Sequence, residues 1–261
     1  WVGPNVADLL GYSREEVLRP GWWSGHIHPK DKDQTVQNMQ WIFEKGQLVQ
    51  EYRFVTQQGT VVWIEDNVRV ISDEYGCWQE IVGAWTDITG RKNYEQELRY
   101  ASLHDSLTGL YNRAYFENEY RRLEKSREYP ISVLSMDLDG MKVINDTMGH
   151  EAGDIHLKAC AAILRSAFRA SDIVFRVGGD EFAALLPSTG QEAGQHIVDR
   201  LRERIASRNQ HLEEGMPISL SIGMACTAGG PEELADAFKQ ADERMYQDKR
   251  EHKARANQQL I

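Results

Sequence analysis

Cysteine is scarce in this 261-residue sequence: Cys77, Cys160 and Cys226 are the only three, and they lie far apart. No paired spacing points to zinc or to a disulfide framework, so a reducing compartment is the simplest reading. Long apolar runs are missing too, and nothing approaches the ~20 residues that cross a bilayer. The opening residues, Trp1-Val2-Gly3, carry neither an initiator Met nor a signal-peptide pattern. We therefore expect a piece of a longer chain, cytoplasmic in placement, with any upstream membrane anchor or sensor lying outside this sequence. Cations are outnumbered: 30 Lys and Arg against 40 Asp and Glu leave a formal net charge of -10. That argues against general affinity for nucleic-acid backbone or anionic lipid, so no DNA, RNA or membrane partner is expected. A nucleotide substrate stays open, because a local cation cluster or a bound metal reverses the sign.

Tryptophan is absent after Trp85, although Trp1, Trp22, Trp23, Trp41, Trp63, Trp78 and Trp85 crowd the first third. Such different aromatic usage implies two cores, as does a length well above ~150 residues per domain. The expected division is a first domain over 1–89, a helical linker over 90–105 and a second domain over 106–261. No internal repeat or low-complexity tract is visible.

The first region alternates short strands with turn signals. Gln50 to Val55 and Val61 to Ile64 flank the turn Gln57-Gln58-Gly59. Val68 to Ile71 and Gln79 to Thr86 flank Asp73-Glu74-Tyr75-Gly76. Val6 to Leu10 and Glu15 to Leu18 read as short helices, with Ser13 and Glu16 spaced for a capping box. Val36 to Lys45 reads as a longer helix closed by Gly46. Across Gly90 to Asp105, Arg91, Tyr94, Leu98 and Ala101 fall at heptad spacing, which suits either a solvated helix or a parallel dimeric coil.

In the second region helices are expected at Arg113 to Lys125, Ala152 to Phe168, Gln191 to Ser207 and Glu232 to Arg250. Strands are expected at Ile131 to Met136, Ile173 to Val177, Phe182 to Leu186 and Ile218 to Ala225. The tight Gly-bearing turn between Val177 and Phe182 makes a hairpin, so the sheet cannot be all parallel.

Two acidic clusters stand at strand ends. The apolar run Ile131 to Met136 leads into Asp137-Leu138-Asp139. The run Gly178-Gly179-Asp180-Glu181-Phe182 puts two acids on the hairpin tip, where the glycines allow positive φ and close approach of a phosphate. Adjacent like charges repel, so a plain hairpin has no use for both. With Asp137 across the sheet they suit hard cations such as Mg²⁺, and two metals serve phosphoryl or nucleotidyl transfer. The polar block Lys142 to Asp154 follows. Asn145 and Asp154 could read a base edge, since a carboxylate pairs with the N1–H and N2–H₂ donors of guanine but not with adenine. Alternatively, Asp146 or Asp154 caps a helix beginning near Ala152.

Together these residues resemble the GGDEF family of diguanylate cyclases over roughly Leu103 to Lys253. The resemblance rests on Asp105 to Arg113 (Asp-Ser-Leu-Thr-Gly-Leu-Tyr-Asn-Arg), the Asp137 to Asp154 block, the Gly178 to Phe182 signature and Ser221-Ile222-Gly223, in the family's order and spacing. It implies an α+β, palm-like domain with a mainly antiparallel central sheet flanked by helices. It implies condensation of two GTP into cyclic di-GMP at a homodimer interface. Asp137, the Leu138 carbonyl, Asp180 and Glu181 would hold two Mg²⁺ or Mn²⁺ ions, with Glu181 also helping to deprotonate the 3′-hydroxyl. Backbone from Asp139, Gly140, Met141 and Lys142 would cradle phosphates, with charge from Lys142, Lys249 and Lys253. Asn145 and Asp154 would read guanine. Arg169 and Asp172, with Arg200 from a neighbouring helix, match the family's inhibitory product site. Departures are Met141 at a usually aromatic position, Lys253 for a common Arg, Ala254 for Asn and His252 for a usual Gly. Lys253 keeps the charge but loses the bidentate fork.

The aromatic region resembles a PAS domain, an antiparallel-sheet sensor. The carriers are Asn5-Val6 to Ser13, His28-Pro29, Glu51-Tyr52-Arg53, Gly59 with Trp63-Ile64, and Gly83 to Thr89. The first one or two strands of that fold are expected to be missing here. The resemblance implies regulation through the PAS dimer, with the ligand unknown. His26 and His28 read as loop residues rather than metal or haem ligands.

Overall fold

The computed structural model describes residues 1–212, 215–229 and 231–258. The chain divides into two units, residues 1–98 and 99–261.

In the first unit five short helices precede a sheet: α1 (Val6–Leu10), α2 (Arg14–Val17), α3 (Trp22–His26), α4 (Pro29–Gln40) and α5 (Ile42–Lys45). Ser13 and Glu16 make the expected capping box. The helix expected over Val36 to Lys45 is two helices. It starts earlier, because Pro29 occupies the first turn and the His28 ring accepts from the Lys30 N–H at 3.2 Å. It breaks at Trp41, and Gly46 closes the second piece with a left-handed φ of 74°. His26 Nδ1 lies 2.6 Å from the Trp22 carbonyl, and its ring packs among Tyr12, Trp22 and Phe54.

The sheet has the order β1 (Gln47–Val55), β2 (Val61–Ser72), β3 (Trp78–Asp87), antiparallel throughout. The two strands expected at Val61 to Ile64 and Val68 to Ile71 are one strand. Its polar middle is not a turn: Asp66 is 1% exposed and accepts from the Tyr52 hydroxyl at 3.0 Å. α6 (Thr89–Leu103) follows; Arg91 pairs with Glu51 and Glu65 at 2.8 and 3.0 Å, while Tyr94 and Leu98 are exposed.

The second unit contains α7 (Arg113–Glu124), β4 (Ile131–Leu138), α8 (Met141–Met148), α9 (His150–Ala167), β5 (Ile173–Arg176), β6 (Glu181–Leu186), α10 (Gln191–Gln210), β7 (Leu220–Thr227) and α11 (Pro231–Gln258). The strand order is β5-β6-β4-β7, and each pairing is antiparallel. β4 is buried along its whole length. Leu134, Met136 and Leu138 join the cluster formed with α9 and α10, while Ile131 and Val133 join the cluster formed with α7 and α11. Each such side chain contributes ~1.5–3 kcal/mol, which fixes the strand's register and hence the position of every residue at its end. Among the described residues no helix is long and apolar enough to cross a membrane.

Candidate active site

Alternation along β4 puts Asp137 on the same side as Ile131 and Val133, facing α11. There Lys249 Nζ donates to Asp137 Oδ1 at 2.6 Å, and the Asp137 side chain is only 8% exposed. Asp139 follows with the same parity. Ser219 and Ser221 Oγ donate to its two carboxylate oxygens at 2.7 and 2.8 Å, and its N–H donates to the Ser219 carbonyl at 2.9 Å.

The signature hairpin meets the same end of the sheet. Asp137 stands opposite Glu181 in register, and the Leu138 N–H donates to the Asp180 carbonyl at 2.9 Å. Neither Gly178 nor Gly179 has a positive φ, which corrects the sequence expectation. At Gly178 a Cβ would lie 2.5 Å from Glu181 Oε2, so the glycine leaves room for that carboxylate in its present place. A Cβ on Gly179 would meet nothing within 4 Å, so that face of the turn is open to approach.

One ammonium thus answers three neighbouring carboxylates. Burial pushes the Asp137 carboxyl above the usual range; the Lys249 hydrogen bond and charge oppose this, and the charges of Asp180 and Asp139 add to it. Burial alone would lower the Lys249 ammonium, but its bond to Asp137 and the same three acids outweigh that and raise it. Such a surplus of hard oxygen donors fits a divalent cation of the Mg²⁺ or Mn²⁺ type. Among the described residues, no three acid, His or Cys side chains already converge on a common point.

Gly140 turns the chain from the sheet into α8 with a left-handed φ of 77°, a conformation that favours glycine. Met141 and Ile144 are buried one turn apart, and this anchors a helix that the polar sequence of Lys142 to Gly149 concealed. The first N–H groups of α8 have no partner within the helix, and Lys142 is exposed beside them. Asn145 lies on α8 against α9: a Cβ on Gly153 would fall 2.0 Å from Asn145 Oδ1. Asp154 is the next residue along α9, exposed. The capping alternative is excluded, since α9 starts at His150 after Gly149 without a side-chain cap and both Asp146 and Asp154 lie inside helices.

Lys253 is exposed on α11, one turn beyond Lys249. Away from this cluster, Asp172 accepts from the Arg169 N–H at 2.9 Å in a turn after α9, and the Arg169 side chain is exposed. Arg200 donates twice to the Ala167 carbonyl, at 2.9 and 2.6 Å, at the end of the same helix.

Sequence reasoning missed Arg176. It donates to the Gly179 carbonyl from Nε and Nη2 at 3.1 and 2.8 Å, and to Asp105 from Nη1 at 3.0 Å. Burial would raise the Asp105 carboxyl, but hydrogen bonds from Thr108 and Arg176 hold it below the usual range. Its place just before the two glycines was the one available signal. The His252 ring against Asp139, with Nδ1 2.7 Å from Oδ2, was likewise invisible, being a contact between residues far apart in sequence.

The family model described as diguanylate cyclase, GGDEF domain, matches residues 102–255, and that for the PAS fold matches 1–85. Diguanylate cyclase DgcM of Escherichia coli is 36% identical over 175 residues, covering 65% of this chain and 41% of that protein. An uncharacterized protein of Sinorhizobium fredii is 30% identical over 93% of this chain and 32% of its own length. The chain therefore spans well under half of these relatives. Among solved structures, the coiled coil and GGDEF domain of DgcB from Caulobacter crescentus, in complex with c-di-GMP, aligns with a TM-score of 0.56 and 26% identity over 62% of this chain and 88% of that one. Diguanylate cyclase SiaD of Pseudomonas aeruginosa, in complex with its activator SiaC, aligns with a TM-score of 0.54 and 27% identity over 62% and 64%. With more than half of its length matched by the family model, the chain belongs to the GGDEF family of diguanylate cyclases, and a PAS fold precedes its GGDEF domain.

Proposed function

We propose that this chain condenses two GTP molecules into cyclic di-GMP, releasing two pyrophosphates. The observation that carries this reading is the gathering of Asp137, Asp180 and Glu181 at one sheet end, beside the open start of α8. Asp137, Asp180, Glu181 and the Leu138 carbonyl would hold two Mg²⁺ or Mn²⁺ ions. Bound there, such ions supply activation of a 3′-hydroxyl and neutralisation of charge on the α-phosphate and leaving pyrophosphate. Glu181 is exposed and would take the hydroxyl proton. The Asp139 N–H is taken by the Ser219 carbonyl, so the N–H groups from Gly140 to Lys142 would receive phosphate oxygens, helped by Lys142, Lys249 and Lys253. Asp154 accepts from guanine N1–H and N2–H₂, and Asn145 completes the base edge.

Each 3′-hydroxyl must attack the other nucleotide, so two half-sites face each other in a homodimer. Exposed Tyr94 and Leu98 on α6 give the residue 90–105 linker an apolar stripe for a partner helix. Signal reaching the PAS unit (1–89) would alter how the two catalytic units (106–261) face. Arg169 and Asp172, with Arg200 beside them, would take cyclic di-GMP as an inhibitor; the related DgcB was solved in complex with c-di-GMP.

The test is turnover of GTP with Mg²⁺ by the purified chain, followed by chromatography for cyclic di-GMP. Wild type is expected to form it and Asp180→Ala is not. Product from that variant overturns the metal assignment. GTP binding without product at dimer-forming concentrations replaces the cyclase reading with that of a binding module. ATP competing equally with GTP removes the role given to Asp154.

A further inference from the structure

We infer that His252 is a positioning residue for the nucleotide phosphates, acting through Asp139; this rests on the cyclase reading above. His252 Nδ1 lies 2.7 Å from Asp139 Oδ2, and the same carboxylate takes the Ser219 and Ser221 hydroxyls at 2.7 and 2.8 Å. Asp139 therefore has both oxygens engaged and its N–H tied to the Ser219 carbonyl. It is the last residue before Gly140, whose left-handed φ starts α8. Among the described residues no side chain bonds Gly140, so α8 is held by the buried Met141 and Ile144 on one side and by Asp139 on the other, and the direction of its free N–H groups depends on both.

The placement of His252 gives this hold a second consequence. Lys249 and His252 sit three residues apart on α11, hence on one helix face. Asp137 and Asp139 sit two apart at the end of β4, hence on one sheet face. The two pairs meet, Lys249 on Asp137 and His252 on Asp139. One helix face thereby grips both acids that flank Leu138. A helix with Lys249 alone would place Asp137 and leave the Asp139 carboxylate held by the Ser219 and Ser221 hydroxyls without a helix contact. The family resemblance does not call for a histidine at 252, so this grip belongs to this chain.

Removing the ring does not open a void in a core. His252 is 27% exposed in its side chain, and it borders an open groove of about 490 Å³ between β7, α10 and α11. Water can fill the space it leaves.

The experiment compares wild type, His252→Ala and His252→Asn as full chains, each first checked for an unchanged melting temperature. GTP steady-state kinetics with Mg²⁺ are run beside calorimetric binding of a non-hydrolysable GTP analogue. A hydrogen bond to a charged group is worth about tenfold in an equilibrium constant, which bounds what loosening Asp139 costs in binding. We expect His252→Ala to raise KM and the analogue's Kd by about that factor, with kcat changed less than twofold. His252→Asn, which keeps a side-chain donor, recovers most of the loss. Unchanged KM and Kd in His252→Ala overturn the assignment, as does an equal loss in the Asn variant. If His252→Ala does not fold, an unaltered Kd in His252→Asn supports the donor role and a lowered affinity overturns it. A wild type that binds no guanine nucleotide overturns the cyclase reading itself, an outcome distinct from wild-type turnover with a silent His252→Ala.

Discussion

Lys249 on the C-terminal helix donates to Asp137 at the end of the central strand, at 2.6 Å and largely out of water. The pair joins residues 112 apart in sequence. It leaves one ammonium facing Asp137, Asp139 and Asp180, and the cation deficit follows from that geometry. Lys249→Met removes the ammonium and leaves Asp137 buried without its partner. About 3 kcal/mol or more in stability is at stake when one member of a buried pair is removed. We expect Mg²⁺ to restore part of that loss, because a divalent ion replaces the missing charge. Thermal unfolding of the variant with and without Mg²⁺ checks this; an equal Mg²⁺ effect on wild type and variant counts against it.

Gly153→Ala addresses the guanine pair. The new Cβ would fall 2.0 Å from Asn145 Oδ1, so the Asn145 side chain must leave its place. Asn145 is partly exposed and has room to move, so the fold should survive. The expected result is a KM for GTP raised about tenfold or more with little change in melting temperature. Unchanged KM would show that Asn145 does not read the base.

Gly223→Ala tests packing alone. A Cβ at Gly223 would lie 1.9 Å from the Ala241 carbonyl oxygen and 2.2 Å from the Met245 amide nitrogen, both backbone atoms of α11. No rotamer relieves that contact, so α11 must lift from β7. A loss of about 3 kcal/mol is expected, read as a lower melting temperature by circular dichroism. Since α11 carries Lys249 and His252, GTP affinity should fall with it. A variant as stable as wild type would refute the close approach.

Asp31→Asn probes the first unit. Arg53 donates to Asp31 from Nε, Nη2 and its own backbone N–H, at 2.8, 2.5 and 3.0 Å. Arg53's side-chain hydrogen bonds hold the Asp31 carboxyl below the usual range against the opposing effect of burial. A depressed carboxyl stabilises the fold above its unfolded pKa of about 3.9 and loses that contribution as pH falls through the folded value. The variant should cost about 1–3 kcal/mol at pH 7, and the gap should close in stronger acid. All seven tryptophans lie within residues 1–85, so their fluorescence reports this unfolding directly. A gap that does not narrow as pH falls below that unfolded value would contradict it.

Several elements were legible in the residues themselves. The hairpin over Val177 to Phe182, the capping box at Ser13 and the strand running into Asp137 each depend on neighbours within a few positions. Where the reading failed, a tertiary contact had overridden the local pattern. Glu65-Asp66-Asn67 looked like an interruption, but the Tyr52 hydroxyl pairs Asp66 inside the core and the strand runs on. The polar block after Gly140 carries no helix expectation of its own, and burial of Met141 and Ile144 makes it a helix. Gly178 and Gly179 looked like residues chosen for positive φ, whereas Gly178 makes room for the Glu181 carboxylate.

By itself the sequence determined the acids of the candidate site, their order along the chain and the two-unit division of aromatic residues, because motif spacing and composition are properties of the chain as written. Only the tertiary structure decided what faces those acids. Lys249 against Asp137, His252 against Asp139, Arg176 between Asp105 and Gly179, and Asn145 over Gly153 all depend on which helix face packs on which sheet face. That choice is made by burial of apolar surface over the whole unit, and no local run of residues encodes it.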